Sequence, residues 1–267
     1  MIPAAPGHDG PPALWVEDDA EDVATRACQL IEAACPGSGP VVLGVATGAT
    51  PVRTYERLVA SRFARRIAHL VLLDEYVDVP AEDPGRFRST IERLVADPLG
   101  LPSARVHVPP AADPSDEACA RFEASLVALG GVDVQLLGIG RNGHVGFNEP
   151  GSPLQSRTRR VTLAATTVAD NAGSVRVGGR VAVTQGLGTI LDARSLVLLA
   201  TGRHKARALA AAVSGEVTPS VPASVMQLHP RGAVIADVDA ASELKPRPFR
   251  SGPPTPDVTR SCSERPS

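Results

Sequence analysis

The chain carries no excess of charge of either sign: 27 Lys and Arg stand against 29 Asp and Glu in 267 residues, a formal net charge of −2. A balance this even excludes the general electrostatic footprint of a nucleic-acid binder. Long apolar runs are also lacking. No stretch approaches the roughly 18 residues of a membrane span. The N-terminus, MIPAAPGHDGPP, has no basic region followed by an apolar one, so no secretory signal is expected. Cysteine is scarce: Cys28, Cys35, Cys119 and Cys262 show no C-x-x-C spacing. Free thiols in a cytosolic protein are expected, and no cluster of ligands suggests a metal. There is no internal repeat.

What is present is an ordinary globular composition, 43% hydrophobic and 21% charged. Residues 1–13 and 246–267 are rich in Pro, with Gly in the first and Ser and Arg in the second, and are expected to be disordered tails. Between them, residues 14–245 alternate apolar runs with amphipathic stretches. Asp18–Ala34 predicts a helix with Val23, Ala27, Leu30 and Ile31 on one face. Val41–Ala46, Leu70–Leu73, Val132–Leu137, Leu196–Ala200 and Ala233–Ala236 predict buried strands. Thr50-Pro51 reads as an N-cap and first helical residue of a helix reaching about Arg65. Asp113-Pro114 opens a helix burying Phe122, Leu126 and Leu129, and Lys205–Val213 predicts another. The alternation implies a single α/β domain, a Rossmann-like, doubly wound, mostly parallel sheet with helices on both faces. Ligands of such sheets bind at the carboxyl ends of the strands.

Four strand ends carry suggestive residues. Thr47-Gly48-Ala49-Thr50-Pro51 suits a phosphate, through small residues and a following helix N-terminus; it equally suits a plain tight turn. It fits neither G-x-G-x-x-G nor a Walker A loop. Leu73-Asp74-Glu75-Tyr76 sets carboxylates directly after a strand, where one can serve as a general base or as a helix cap. Gly138 to Pro150 (GIGRNGHVGFNEP) frames His144 with four glycines, five residues before Glu149, a base with an orienting partner. Thr201-Gly202-Arg203-His204-Lys205 puts cations at a helix start, where they make sense beside a bound anion. One crevice with two anion-friendly turns, a carboxylate and a His–Glu pair points to proton transfer on a phosphorylated small molecule, without metal or redox cofactor.

These residues, in the segments LGVATGATPVRTY, LLDEYV, DVQLLGIGRNGHVGFNEPGSPLQSRTRRVTL, VTQGLGTILDA, LLATGRHKA and SVMQLHPRGAVIAD, resemble the glucosamine-6-phosphate deaminase (isomerase) family, whose superfamily includes 6-phosphogluconolactonase. The resemblance spans about residues 14–245. It implies a cytoplasmic enzyme converting glucosamine 6-phosphate to fructose 6-phosphate and ammonia without a cofactor. In that reading His144 opens the pyranose ring, Glu149 orients His144, Asn142 assists, and Asp74 moves the C2 proton to C1. Thr47, Gly48, Ala49, Thr50, Gly140 and Lys205 hold the substrate and its phosphate. The expected partner is a sugar phosphate, not nucleic acid or a membrane, and the oligomeric state stays open between homo-oligomer and monomer.

The chain departs from the family at four places. Asn142 replaces an Asp of some members. Ala164–Ala182 corresponds to a shortened active-site lid, with Gly173 where a phosphate-binding Arg is expected and Arg176 or Arg180 as substitutes. Val161 and Pro153 replace a Lys and a Ser of the effector site, arguing against activation by N-acetylglucosamine 6-phosphate, although Ser152 and Arg159 remain. Val221-Pro222-Ala223-Ser224 replaces a stretch containing Trp and Thr. A different amino sugar is therefore the main alternative. A 6-phosphogluconolactonase-like hydrolase is disfavoured by the LDEY and LQLHP segments. A non-catalytic sugar-phosphate sensor is disfavoured because the twelve-residue front segment is too short for a helix-turn-helix.

Overall fold

The computed structural model describes residues 12–170 and 179–245. The chain runs β1 (Ala13–Glu17), α1 (Ala20–Ala34), β2 (Val41–Val45), α2 (Val52–Ala60), β3 (Ile67–Leu72), β4 (Asp74–Tyr76), α3 (Phe87–Ile91), β5 (Val106–His107), α4 (Asp116–Ala128), β6 (Val134–Gly138), β7 (Arg159–Thr162), α5 (Ala165–Asp170), β8 (Val181–Thr184), α6 (Leu187–Leu191), β9 (Leu196–Ala200), α7 (Ala206–Ser214) and β10 (Gly232–Asp237). Seven strands form a parallel sheet in the order β1-β10-β9-β6-β2-β3-β5. The chain moves outward from β2 through β3 to β5, then returns to β6 on the other side of β2. The junction of β2 and β6 is therefore the switch point, where a crevice opens at the strand ends.

The central strands β2 and β9 are apolar throughout because both faces are covered, and β6 departs from this only at the buried Gln135. Along β9, Leu196, Leu198 and Ala200 pack with Leu209, Val213 and Phe122, whereas Val197 and Leu199 pack with Val23, Ala27 and Ile31 of α1 and Tyr55 of α2. The expected face of α1 is thus buried, with Leu30 only partly so.

Several boundaries move for identifiable reasons. Helix α1 starts at Ala20 rather than Asp18, because Asp19 caps it, accepting the N–H groups of Glu21 and Asp22 at 2.8 and 3.0 Å. Ser115, rather than Asp113, caps α4 through the N–H of Ala118. Thr50 does not cap α2: Pro51 holds the cap position, and the Thr50 hydroxyl shares a 3.1 Å hydrogen bond with the hydroxyl of Thr201. Helix α2 stops at Ala60 instead of Arg65, where Ser61 Oγ donates to the carbonyl of Leu58. The buried Phe63 then turns the chain into β3 through a separate 3-10 turn. Lys205 likewise belongs to a 3-10 turn, Arg203–Lys205, that precedes α7.

A second, antiparallel sheet was not expected. Strand β8 lies between β4 and β7, pairing Asp74 with Thr184 and Thr162 with Val181. It extends from the carboxyl end of β3 and touches the crevice through Asp74 of β4.

Candidate active site

The four expected strand ends converge on one cleft of about 380 Å³. Thr47, Gly48, Ala49 and Thr50 line it from β2, Asp74 from β3, Gly140 and His144 from β6, and Lys205 from β9. Among the described residues, Asp74 is the acidic side chain in its wall.

The turn after β2 needs Gly48, whose φ of +104° lies in the left-handed region. Its mate after β9 is held by Asp237, which accepts the N–H of Gly202 with both carboxylate oxygens at 3.0 and 2.9 Å. The Thr50–Thr201 hydrogen bond joins the two turns across the end of β6, which lies between β2 and β9. Together the two turns form a small cradle that sets the Thr50 and Thr201 hydroxyls in the cleft wall with Lys205.

Asp74 and Glu75, adjacent in sequence, have different environments. Asp74 is buried to 6% exposure, close to where Gly146 and Thr184 approach. A Cβ on Gly146 would lie 3.2 Å from Asp74 Oδ2, so glycine permits the contact. Burial, reinforced by the neighbouring Glu75 carboxylate, pushes the Asp74 carboxyl up to about 8. Glu75 points the other way and takes the backbone N–H groups of Tyr76, Phe87 and Arg88 at 2.9 to 3.2 Å, with Arg86 3.4 Å away. It caps α3 and is architectural.

His144 lies against Gly140, where any Cβ would collide with the imidazole ring. Its Nδ1 is 3.8 Å from Glu149 Oε2, an ion-pair separation rather than a hydrogen bond. Asn142 bridges the pair: Oδ1 accepts the His144 backbone N–H at 3.1 Å and Nδ2 donates to Glu149 Oε2 at 2.8 Å. Neither Asn142 nor Glu149 lines the cleft; both contact His144 instead, as expected for Glu149 as its orienting partner and Asn142 as its aid. Glu149 Oε1 is buried without a hydrogen-bond partner, an acceptor left available behind the imidazole.

Residues 138–143 do spell G-x-G-x-x-G, but the third glycine opens no helix, so the context of a dinucleotide site is missing. Sequence reading did not single out Arg141, His204, Phe87 or Thr167, which also line the cleft. Arg141 and His204 were visible inside the two motifs, whereas Phe87 and Thr167 arrive from distant elements and carried no local signal. Thr167 belongs to α5, the described part of the expected lid, and Asp78 ties down its far end by accepting the N–H groups of Gly179, Arg180 and Val181. Gly173 and Arg176 lie outside the described residues, and Arg180 is exposed. Arg159 donates to Asn148 Oδ1 and Ser152 Oγ at 2.9 and 3.1 Å, away from the cleft. Ser224 is buried and accepts the N–H of Thr218 at 3.0 Å, and Val221 packs on Gly143. Among the described residues no helix is long and apolar enough to cross a membrane, and no group of three potential metal ligands occurs.

Comparison with known proteins identifies the family. The family model for glucosamine-6-phosphate isomerases/6-phosphogluconolactonase matches residues 16–235. The chain is 53% identical over 211 residues to a glucosamine-6-phosphate deaminase of Cutibacterium acnes, covering 76% of this chain and 81% of that protein. It is 43% identical over 240 residues to the deaminase of Shewanella loihica, covering 86% and 89%. A solved monomeric glucosamine-6-phosphate deaminase superposes with a TM-score of 0.79 at 32% identity, covering 86% of this chain and 99% of that one. The 6-phosphogluconolactonase of Trypanosoma cruzi shares the fold, with a TM-score of 0.71 at 19% identity over 90% of this chain and 100% of that one. The chain belongs to the glucosamine-6-phosphate isomerase/6-phosphogluconolactonase family.

Proposed function

We propose that the protein is a glucosamine-6-phosphate deaminase, converting glucosamine 6-phosphate and water to fructose 6-phosphate and ammonia. The observation that carries this reading is a buried carboxyl, Asp74, sharing one small cleft with His144 and the two turns that bring Thr50, Thr201 and Lys205 together. The named deaminase relatives support the same substrate.

In the proposed reaction the phosphate rests against the turns at Thr47–Thr50 and Thr201–Lys205. His144 takes the anomeric hydroxyl proton and returns one to the ring oxygen, opening the pyranose. Glu149 and Asn142 hold the imidazole for this exchange and stabilise its charged form. Asp74, once ionised, removes the C2 proton; the electrons form a C1=C2 double bond and the C1 oxygen is protonated, giving an enolamine. Asp74 then delivers its proton to C1, leaving an imine at C2. Water adds there, ammonia departs and the ketone remains. A carboxylate suits this shuttle because a single group can reach adjacent carbons, and its raised proton affinity brings it nearer that of the carbon acid.

The reading places the enzyme in the cytoplasm. The thiols of Cys28, Cys35 and Cys119 are free, consistent with a reducing compartment. The test is ammonia release from purified protein given glucosamine 6-phosphate, with glucosamine and 6-phosphogluconolactone in parallel. Turnover of the first alone is expected. A folded protein that ignores it and hydrolyses the lactone would overturn the reading.

A further inference from the structure

We infer that Arg141 is a second phosphate-binding cation, which sets the preference of this site for phosphorylated over unphosphorylated sugars. The inference deepens the proposed function and rests on it for the identity of the sugar, not for the anion site.

Strand β6 lies between β2 and β9, so the loop leaving β6 emerges between the two turns of the cradle. Those turns are joined over this position by the Thr50–Thr201 hydrogen bond. Arg141 is therefore delivered to the middle of the anion site by topology, and it lines the same cleft as Lys205 and Thr50.

Local geometry holds the turn that carries it. Gly143 N–H donates to the Gly140 carbonyl at 3.0 Å, closing a four-residue turn with Arg141 and Asn142 at its centre. The turn is anchored at both ends. Gly140 is pressed against the His144 ring, and a Cβ on Gly143, at φ +87°, would lie 3.0 Å from Val221 Cγ1. Asn142 is drawn backward by its bonds to His144 and Glu149. Its neighbour Arg141 takes the cleft side of the same turn. A guanidinium there presents a planar fork matched to two phosphate oxygens, whereas the Lys205 ammonium supplies a point charge. With Asp74 as the acidic wall residue, the two cations make one end of the cleft favourable to a dianion.

The experiment compares the parent with Arg141→Ala and Arg141→Lys, using calorimetric titration with inorganic phosphate beside steady-state kinetics. Because Arg141 is exposed on a surface turn, both variants are expected to melt like the parent. In Arg141→Ala, phosphate affinity should fall about tenfold to a hundredfold. KM for glucosamine 6-phosphate should rise comparably, with the loss carried in KM rather than in kcat. Arg141→Lys should recover part of the charge but not the two-pronged geometry, falling between the two. Parent-like phosphate affinity in Arg141→Ala, or no phosphate binding by the parent, overturns the inference. So does an equal KM increase for unphosphorylated glucosamine. If the parent fails to turn over glucosamine 6-phosphate, the proposed function falls, while the phosphate titration still decides the role of Arg141.

Discussion

The two faces of β4 hold the same chemical group in opposite conditions. Asp74 faces the cleft beside Gly146, with Phe87 and Phe147 in the same wall, and receives none of the backbone donors that surround Glu75. Glu75, one residue on and on the other face, is saturated by three N–H groups and faced by Arg86. Both are buried, at 6% and 0% exposure, so burial alone does not separate them. The difference is solvation by the protein itself. A carboxylate given donors builds structure. One denied them binds its proton more tightly, which suits it to carry a proton once it has been ionised. The aromatic trio of Tyr76, Phe87 and Phe147, with ring centroids 4.8 to 5.5 Å apart, packs beside this region and keeps it apolar.

The comparison is broken most severely by removing the reactive group. Asp74→Asn should lower kcat by about a hundredfold to ten-thousandfold while the protein still folds, checked by ammonia release and thermal melting. The reverse is expected across the strand. Glu75→Gln should cost about 2–3 kcal/mol of stability, because it strips charge-assisted bonds from the start of α3 and leaves the Arg86 charge without its partner. Its activity per folded molecule should stay within a few fold of the parent. Equal kinetic damage from both substitutions would erase the distinction.

The same contrast has a pH signature. Asp74 holds its proton to about pH 8 in the folded chain, whereas an unfolded Asp releases it near 3.8. Between those values the unfolded state binds fewer protons, so this group lowers stability as pH rises through the window. Asp74→Asn cannot ionise, so its melting temperature should gain on that of the parent from pH 5 to pH 8. A constant difference would contradict the assignment. The smallest expected effect lies behind His144. Asn142→Ala removes the link between His144 and Glu149 and should slow ring opening about fivefold to tenfold, near the worth of one hydrogen bond. Substrates offered in open-chain form should be spared.

Much of this was legible in sequence because it is local. Strands β2 and β9 are continuous apolar runs and β6 is one interrupted only by Gln135, and their ends carry the glycine turns and the His144 loop. The antiparallel sheet was not legible. Strand β4 is only Asp-Glu-Tyr, β7 reads Arg-Arg-Val-Thr, and their partner β8 is contributed from more than a hundred residues beyond Asp74. Strand β1 hides at the edge of a Pro-rich front, and β5 is two residues long. The separate tasks of Asp74 and Glu75 escaped for the same reason: the donors to Glu75 come from α3, and the wall beside Asp74 comes from the loop after β6. Thr50, read as a cap, was claimed instead by Thr201, a partner 151 residues away.

The most direct test of the account is a carbon-13 NMR titration of the side-chain carboxyls in the unliganded protein, with the Asp74 resonance assigned by its loss in Asp74→Asn. A midpoint near pH 8 is predicted for that one signal. A midpoint in the ordinary aspartate range near 3.8 would show that the cleft face of β4 is as well solvated as its opposite, and would remove the physical basis for Asp74 as the proton carrier.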